Sequence, residues 1–190
     1  VTSGVSNGKP VIIIKQQWDR DTIIHTAYTV LNAINFATLQ HDWFWKRLAY
    51  SAKYNFETKT ISFSGNIPDS VKTVSIRDFN ESFDKYNLNW HSDLIDISML
   101  PFKENRTFNI NFFDPGFGKA EENFYSVTGS DLLTNSSGNK IDCWILELKF
   151  TSSIGYQKFW VDKKNSEVLK EEDFFNNSYR YKLKLEISED

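Results

Sequence analysis

The side chains best equipped for chemistry in this chain are three histidines, a single cysteine and a run of acids towards the C-terminal end. His41 stands beside Asp42 in LQHDWFWKRL, Leu39 to Leu48, the pair of types that general acid–base catalysis or a metal centre would use. Adjacent side chains on an extended backbone point to opposite faces, so these two do not converge easily on one atom. His25 and His91 stand at no recognised ligand spacing from His41. The spacing therefore favours a structural role. His41 and Asp42 mark a corner between two strands, and Leu39, Trp43 and Trp45 share one side of the chain as wall or rim.

The other reactive types point the same way. Cys143, in IDCWILELKF, has no partner for an internal disulfide, and its apolar neighbours suit a buried thiol. WVDKKNSEVLKEEDFF gathers Asp162, Glu167, Glu171, Glu172 and Asp173, which could form a cation site or a glycosidase-like pair. Lys163, Lys164 and Lys170 interleave them, so a solvated hairpin and outer sheet face is the expectation. DPGFGKAEEN offers Gly116 and Gly118, but Glu121 occupies the third position of a G-x-G-x-x-G phosphate cradle. GSD, Gly129 to Asp131, lacks the G-x-S-x-G elbow. No metal, cofactor or catalytic residue is assigned.

The elements that must position any site read as strands. YRYKLKLEI puts Tyr179, Tyr181, Leu183, Leu185 and Ile187 on one face, and CWILELKF does so with Trp144, Leu146, Leu148 and Phe150. RTFNINFFD alternates Phe108, Ile110 and Phe112 with asparagines, and KTISFSG sets Ile61 and Phe63 against serines. FETKT, GNIPDS, DPGFG, NSSGNK, DKKNSE and FNNSY punctuate the chain, giving roughly nine or ten strands joined mostly as next-neighbour hairpins. One helix is expected, from Ser92 as N-cap to Leu100, stopped by Pro101, with Leu94, Ile97 and Leu100 along one side.

The totals bound the rest. A length of 190 residues suits one domain with a sizeable core, and a net charge of −3 with mixed signs excludes a nucleic-acid partner. Aromatics at 16% lean towards β-structure or an aromatic-lined cavity. No apolar run approaches the ~20 residues of a membrane-spanning helix. Residues 1–9 of VTSGVSNGKP read as a flexible leader, as in a mature protein that has lost a signal or lipid-attachment segment, or in a trimmed chain.

From GNKIDCWILELKF through GYQKFWVDKKNSEVLKEEDFFNNSYRYKLKL, and in the upstream LPFKENRTFNINFFD, the sequence resembles a family of bacterial envelope proteins known only as a domain of unknown function. The likeness rests on the order of strands at Gly138 to Phe150, Tyr156 to Asp162, Glu167 to Glu172 and Tyr179 to Leu185. It covers about the last 100 residues, and the first 60 more loosely; these are patterns, not catalytic signatures. Such families are similar in fold to the periplasmic lipoprotein carriers and their outer-membrane receptors. The resemblance implies a curved antiparallel half-barrel with its helical plug on an apolar concave face, holding acyl chains.

The expectation is therefore a mainly β, single-domain protein, a single curved antiparallel sheet with one short helix on its concave face. Its function would be non-catalytic, binding a lipid or lipoprotein acyl chain in the periplasm or at the outer membrane. Each methylene buried against the sheet would contribute about 0.8 kcal/mol, and helix displacement would open the cavity. The wall would comprise Trp43, Trp45 and Phe63, the helix residues Leu94 and Ile97, then Phe108, Ile110 and Phe112, and finally Trp144, Leu146 and Trp160. The alternatives are an interaction domain with a filled core, and an enzyme with a small polar site around His41, Asp42 and His91.

Overall fold

The computed structural model describes residues 1–19, 21–83, 88–116, 118–150, 154–175 and 177–184. The first six strands are β1 (Thr2–Ser6), β2 (Lys9–Asp19), β3 (Ile23–Asn32), β4 (Thr38–Trp45), β5 (Tyr50–Asn55) and β6 (Thr60–Gly65). They form a six-stranded antiparallel meander in sequence order. Then follow helix α1 (Asp69–Glu81), β7 (Leu88–Asn89), helix α2 (Asp93–Ser98), β8 (Thr107–Phe113), β9 (Glu121–Thr134), β10 (Lys140–Lys149), β11 (Gly155–Asp162), β12 (Val168–Phe175) and β13 (Ser178–Leu183). The second sheet has seven strands in the order β13-β12-β11-β10-β9-β8-β7; it is a mixed half-barrel sheet, because β7 runs parallel to β8.

The protein is thus mainly β, with next-neighbour hairpins as expected, but it has two sheets where one was expected. The break falls after β6, where the chain folds α1 instead of turning back into another hairpin. By contact the chain divides into two compact units, one of residues 1–93 and 111–121, the other of residues 94–110 and 122–190.

The expected leader is a strand. β1 pairs with β2 from Thr2 opposite Ile13 to Ser6 opposite Lys9, around Asn7 and Gly8, both at positive φ. Asn-Gly is the pair that a tight two-residue hairpin turn favours.

The expected helix is present as the shorter α2, behind a 3-10 turn at Trp90–Ser92. The capping falls to Asn89, whose side chain accepts from the His91 N–H at 2.8 Å, while the Ser92 hydroxyl donates back to the Asn89 carbonyl at 2.7 Å. The helix packed on the six-stranded sheet is α1, a second helix beyond the one expected. Pro68 precedes it, Asp69 bonds Lys72 one turn on at 2.9 Å, and Phe79 points into the sheet. The Phe79 ring lies 5.3 Å from Tyr54, 5.1 Å from Phe56 and 5.9 Å from Phe113. With Trp43 and Ala52 these rings make a core cluster of the first unit.

In the second unit Tyr125, Leu146, Phe159 and Val161 are fully buried, and the Tyr125 hydroxyl donates to Gln157 at 3.1 Å. Leu185 and Ile187, placed on the last strand by alternation, lie outside the described residues.

Candidate functional site

Strand register sorts the residues of β4 onto two faces. His41, Trp43 and Trp45 stand on the face covered by α1, opposite Tyr54, Ala52 and Tyr50 of β5. Asp42 and Phe44 stand on the other, opposite Lys53 and Ser51. His41 and Asp42 do point apart, as backbone geometry requires, but they sit within β4 and not at a corner.

On the covered face the chain's three histidines meet. The His41 ring centroid lies 4.5 Å from that of His91, and the His25 centroid 5.9 Å from it. His25 comes from β3, and His91 from the turn before α2, whose carbonyl accepts from the Gln16 side chain at 3.2 Å. Trp18 and Trp45 pack on His25 at 4.5 and 4.7 Å. His41 Nδ1 bonds the Thr29 hydroxyl at 2.8 Å, with Thr29 directly opposite in register. Burial, reinforced by the neighbouring histidines, holds the His41 imidazole well below its usual pKa, and burial lowers that of His25.

Asp114 approaches the cluster, its Oδ1 3.6 Å from His91 Nδ1. A third of its side chain remains exposed, but Oδ1 is sealed from solvent, and burial together with the nearby Asp93 raises its pKa to about 7. The carboxylate beside His91 is therefore Asp114, which the sequence does not single out. Among the described residues, no group of three or more His, Cys, Asp or Glu side chains is placed to hold a metal ion.

The open face of the same sheet is dished, and holds a trough of about 620 Å³. Two cross-strand rows of side chains line it. The first runs Lys15, Tyr28, Asp42, Lys53 and Ser62, each opposite the next across β2 to β6. The second runs Gln17, Thr26, Phe44, Ser51 and Ser64 in the same manner. At about 4.8 Å between strands each row is about 19 Å long, the span of a long acyl chain. Asp42 Oδ2 accepts from the Gln40 amide at 2.9 Å and lies 3.6 Å from Lys53 Nζ. Burial raises the Asp42 pKa, and Gln40 and Lys53 pull it back.

A second cavity of about 420 Å³ runs along α1, bordered by Val71, Val74, Asp78, Gly116 and Gly118. Gly116 has φ +93°, and a Cβ there would lie 2.7 Å from the Trp43 ring, so the DPGFG turn is a fit against tryptophan.

The expected wall residues do not share one surface. Trp43 and Phe63 border the trough only from behind, since their side chains belong to the covered face. Trp45 packs on the histidines, and Phe112 stacks on Trp90 at 4.4 Å. In the second unit Leu94 is half-buried and Ile97 fully buried on α2, while on β8 Phe108 meets Phe102 at 5.8 Å and Ile110 is buried. Trp144 and Leu146 lie opposite Val161 and Phe159, on one face of the second sheet. Trp160 lies opposite Ile145 on its other face, with Lys170 3.9 Å above the ring and its Nε1 donating to Asp131 at 2.9 Å. Alternation within each strand was legible; which strands' faces coincide was not.

Two further expectations meet the structure. Cys143 is buried, and its thiol is pushed up to about 11, mainly by burial. The acid run of β12 is not a wholly solvated face. Glu171 and Asp173 are buried, Glu171 2.5 Å from Lys182 and Asp173 accepting from Arg180, so cations of the edge strand β13 compensate them.

The family model described as "Protein of unknown function (DUF3108)" matches residues 1–184. No curated protein and no solved structure gives a significant match.

Proposed function

The chain belongs to this DUF3108 family, and we propose that it is a non-catalytic binding protein that holds an amphiphilic ligand, a lipid or an acyl chain, in the trough of its six-stranded sheet. The observation that carries this reading is the trough. Its volume of about 620 Å³ falls inside the range of roughly 300–1,000 Å³ for small-molecule sites. The rings of Phe44 and Tyr28 and the aliphatic stems of Lys15 and Lys53 offer apolar surface, while the tips of the same residues and the flanking serines are polar. The opposite face is occupied by the protein's own rings, with Tyr54 and Phe79 at 0% and 1% exposure. That supports placing the ligand on the open face, where no helix has to move. Kinship in fold with the lipoprotein carriers and receptors, and a place in the cell envelope, rest on the family resemblance and belong to the same proposal.

The test is a titration with a dansyl-labelled undecanoic acid, alongside native mass spectrometry of the purified protein and lipid analysis of its solvent extract. Saturable one-to-one uptake, or a stoichiometric acyl adduct, is expected. A clean mass with no saturable uptake would overturn the reading.

The contacts of His91 with His41 on one side and Asp114 on the other favour a second reading, an enzyme site in which Asp114 takes the part expected of Asp42. His41 is sealed at 0% exposure, and neither described cavity opens on the cluster. Modification by diethyl pyrocarbonate separates the two: rapid reaction at His41 in the folded protein supports the enzyme reading, and protection opposes it.

A further inference from the structure

Resting on the trough reading, we infer that the ligand is a single-chain amphiphile with an anionic head, a carboxylate or phosphate, recognised at the β2–β3 side of the trough by Lys15 and the Tyr28 hydroxyl. The argument is one of charge placement along the first row of side chains. That row carries two cations, Lys15 and Lys53, and one anion, Asp42. Asp42 and Lys53 stand directly opposite each other and 3.6 Å apart, and the Gln40 amide donates to the same carboxylate oxygen at 2.9 Å. Their charges are therefore largely spent on each other. Lys15 stands two strands away, with Tyr28 between it and Asp42, and among the described residues no carboxylate pairs with it.

An ammonium and a phenol side by side on adjacent strands are a point charge and a neutral donor, the combination that binds a carboxylate or phosphate oxygen. The rest of the row and the second row then supply the surface for the chain. Among the described residues of the two rows, Phe44 is the one large apolar side chain, one strand beyond Tyr28 in the neighbouring row. The head would lie over β2 and β3, and the chain would run across β4 and β5 towards Ser62 and Ser64. Asp42 is the feature that would favour a cation instead, and the test is built to let it win.

Three twelve-carbon amphiphiles, all below their micelle concentrations, are titrated by calorimetry into the intact protein: dodecanoate, dodecyl maltoside and dodecyltrimethylammonium. Dodecanoate is expected to bind tightest, more weakly as salt is raised. Lys15→Met should reduce that affinity by about three- to tenfold and leave the maltoside unchanged. Tyr28→Phe should take away part of the same difference without unfolding the sheet. Equal binding of all three, or tighter binding of the ammonium, would overturn the anionic head while leaving the trough as a site. Binding of none would overturn the trough reading itself.

Discussion

Ser51 offers the sharpest test of where a ligand sits. It occupies the second row of the trough, directly between Phe44 of β4 and Ser64 of β6, and it faces the open side of the sheet. Ser51→Trp places an indole there, in a strand position that suits an aromatic residue. The added ring takes space that three or four methylenes of a bound chain would otherwise use. At about 0.8 kcal/mol for each methylene returned to water, the loss is about 3 kcal/mol. That is a weakening of about a hundredfold. The fold should scarcely register the change, because the side chain enters no packed layer; a shift within about 0.5 kcal/mol is expected from urea unfolding. The assay is the dansyl-undecanoate titration on wild type and variant, paired with that unfolding curve. A variant as stable as wild type that binds the probe with unchanged affinity would refute the placement of the ligand in the trough.

Other consequences follow from the buried charges and close contacts. Asp114 titrates at about 7 in the folded protein against 3.8 for an ordinary aspartate, so the folded state holds its proton more tightly between those values. Its contribution to stability is present at low pH and lost as pH rises through about 7. With a third of the side chain exposed, about 2 kcal/mol is the discounted cost. Asp114→Asn should match wild type near pH 3.8 and gain on it up to pH 7, where the advantage levels off; a gap that does not widen over that window counts against the assignment. The histidines act in the opposite sense. The folded pKa values of His25 and His41 lie below 6.5, so the unfolded chain takes up more protons as pH falls below that value and stability drops. His41→Gln should flatten that acid limb in denaturation measured from pH 7 down to 5. Lys182→Met removes the nearer of two cations beside Glu171, the other being Arg180 at 3.7 Å, and should cost up to about 3 kcal/mol in thermal or urea unfolding. Adding Glu171→Gln should recover most of the loss, and failure to do so would mean the lysine matters by packing alone. Gly116→Ala brings a methyl against the Trp43 ring at an unfavourable φ; about 2 kcal/mol of destabilisation and a changed tryptophan emission are expected.

The parts of the fold legible in the sequence are those set by neighbours along the chain. Alternation in CWILELKF and KTISFSG marks β10 and β6, and the turn-forming runs mark most of the hairpins. Two local signals mark elements that alternation does not. Asn7-Gly8 is a hairpin turn inside what read as a leader, and Pro68-Asp69-Ser70 opens α1. In VKTVSIRDF the apolar residues keep to neither period cleanly: Val74 and Ile76 alternate, while Val71 and Phe79 fall on the opposite parity, so periodicity alone does not mark the helix. Of the four, Phe79 alone is fully buried, and Ile76 and Val74 face solvent, so the deciding fact is tertiary. The buried acids of β12 depart from the expected wet face for a related reason. Lysines next to them in sequence suggest a wet face, whereas the cations that compensate Glu171 and Asp173 come from across the ladder on β13.

His41 and Asp42 show where such reading stops. The backbone rule separates them with certainty, one to each face of β4, and that much needed no structure. What each then meets is a matter of register. His41 finds Thr29 twelve residues back through the β3–β4 hairpin, and His91 from a turn after α1. Asp42 finds Lys53 through the β4–β5 hairpin, and shares its row with Lys15 from β2. A slip of one residue in β4 would exchange the two environments, putting the carboxylate among the rings and the imidazole in the trough. The pattern that prevents the slip is the aromatic one: Trp43 and Trp45 must face the covered side, and His41 goes with them. The tryptophans of LQHDWFWKRL therefore do more than fill a wall. By fixing the register of β4 they decide which of two adjacent polar residues is sealed among histidines and which lines the open trough.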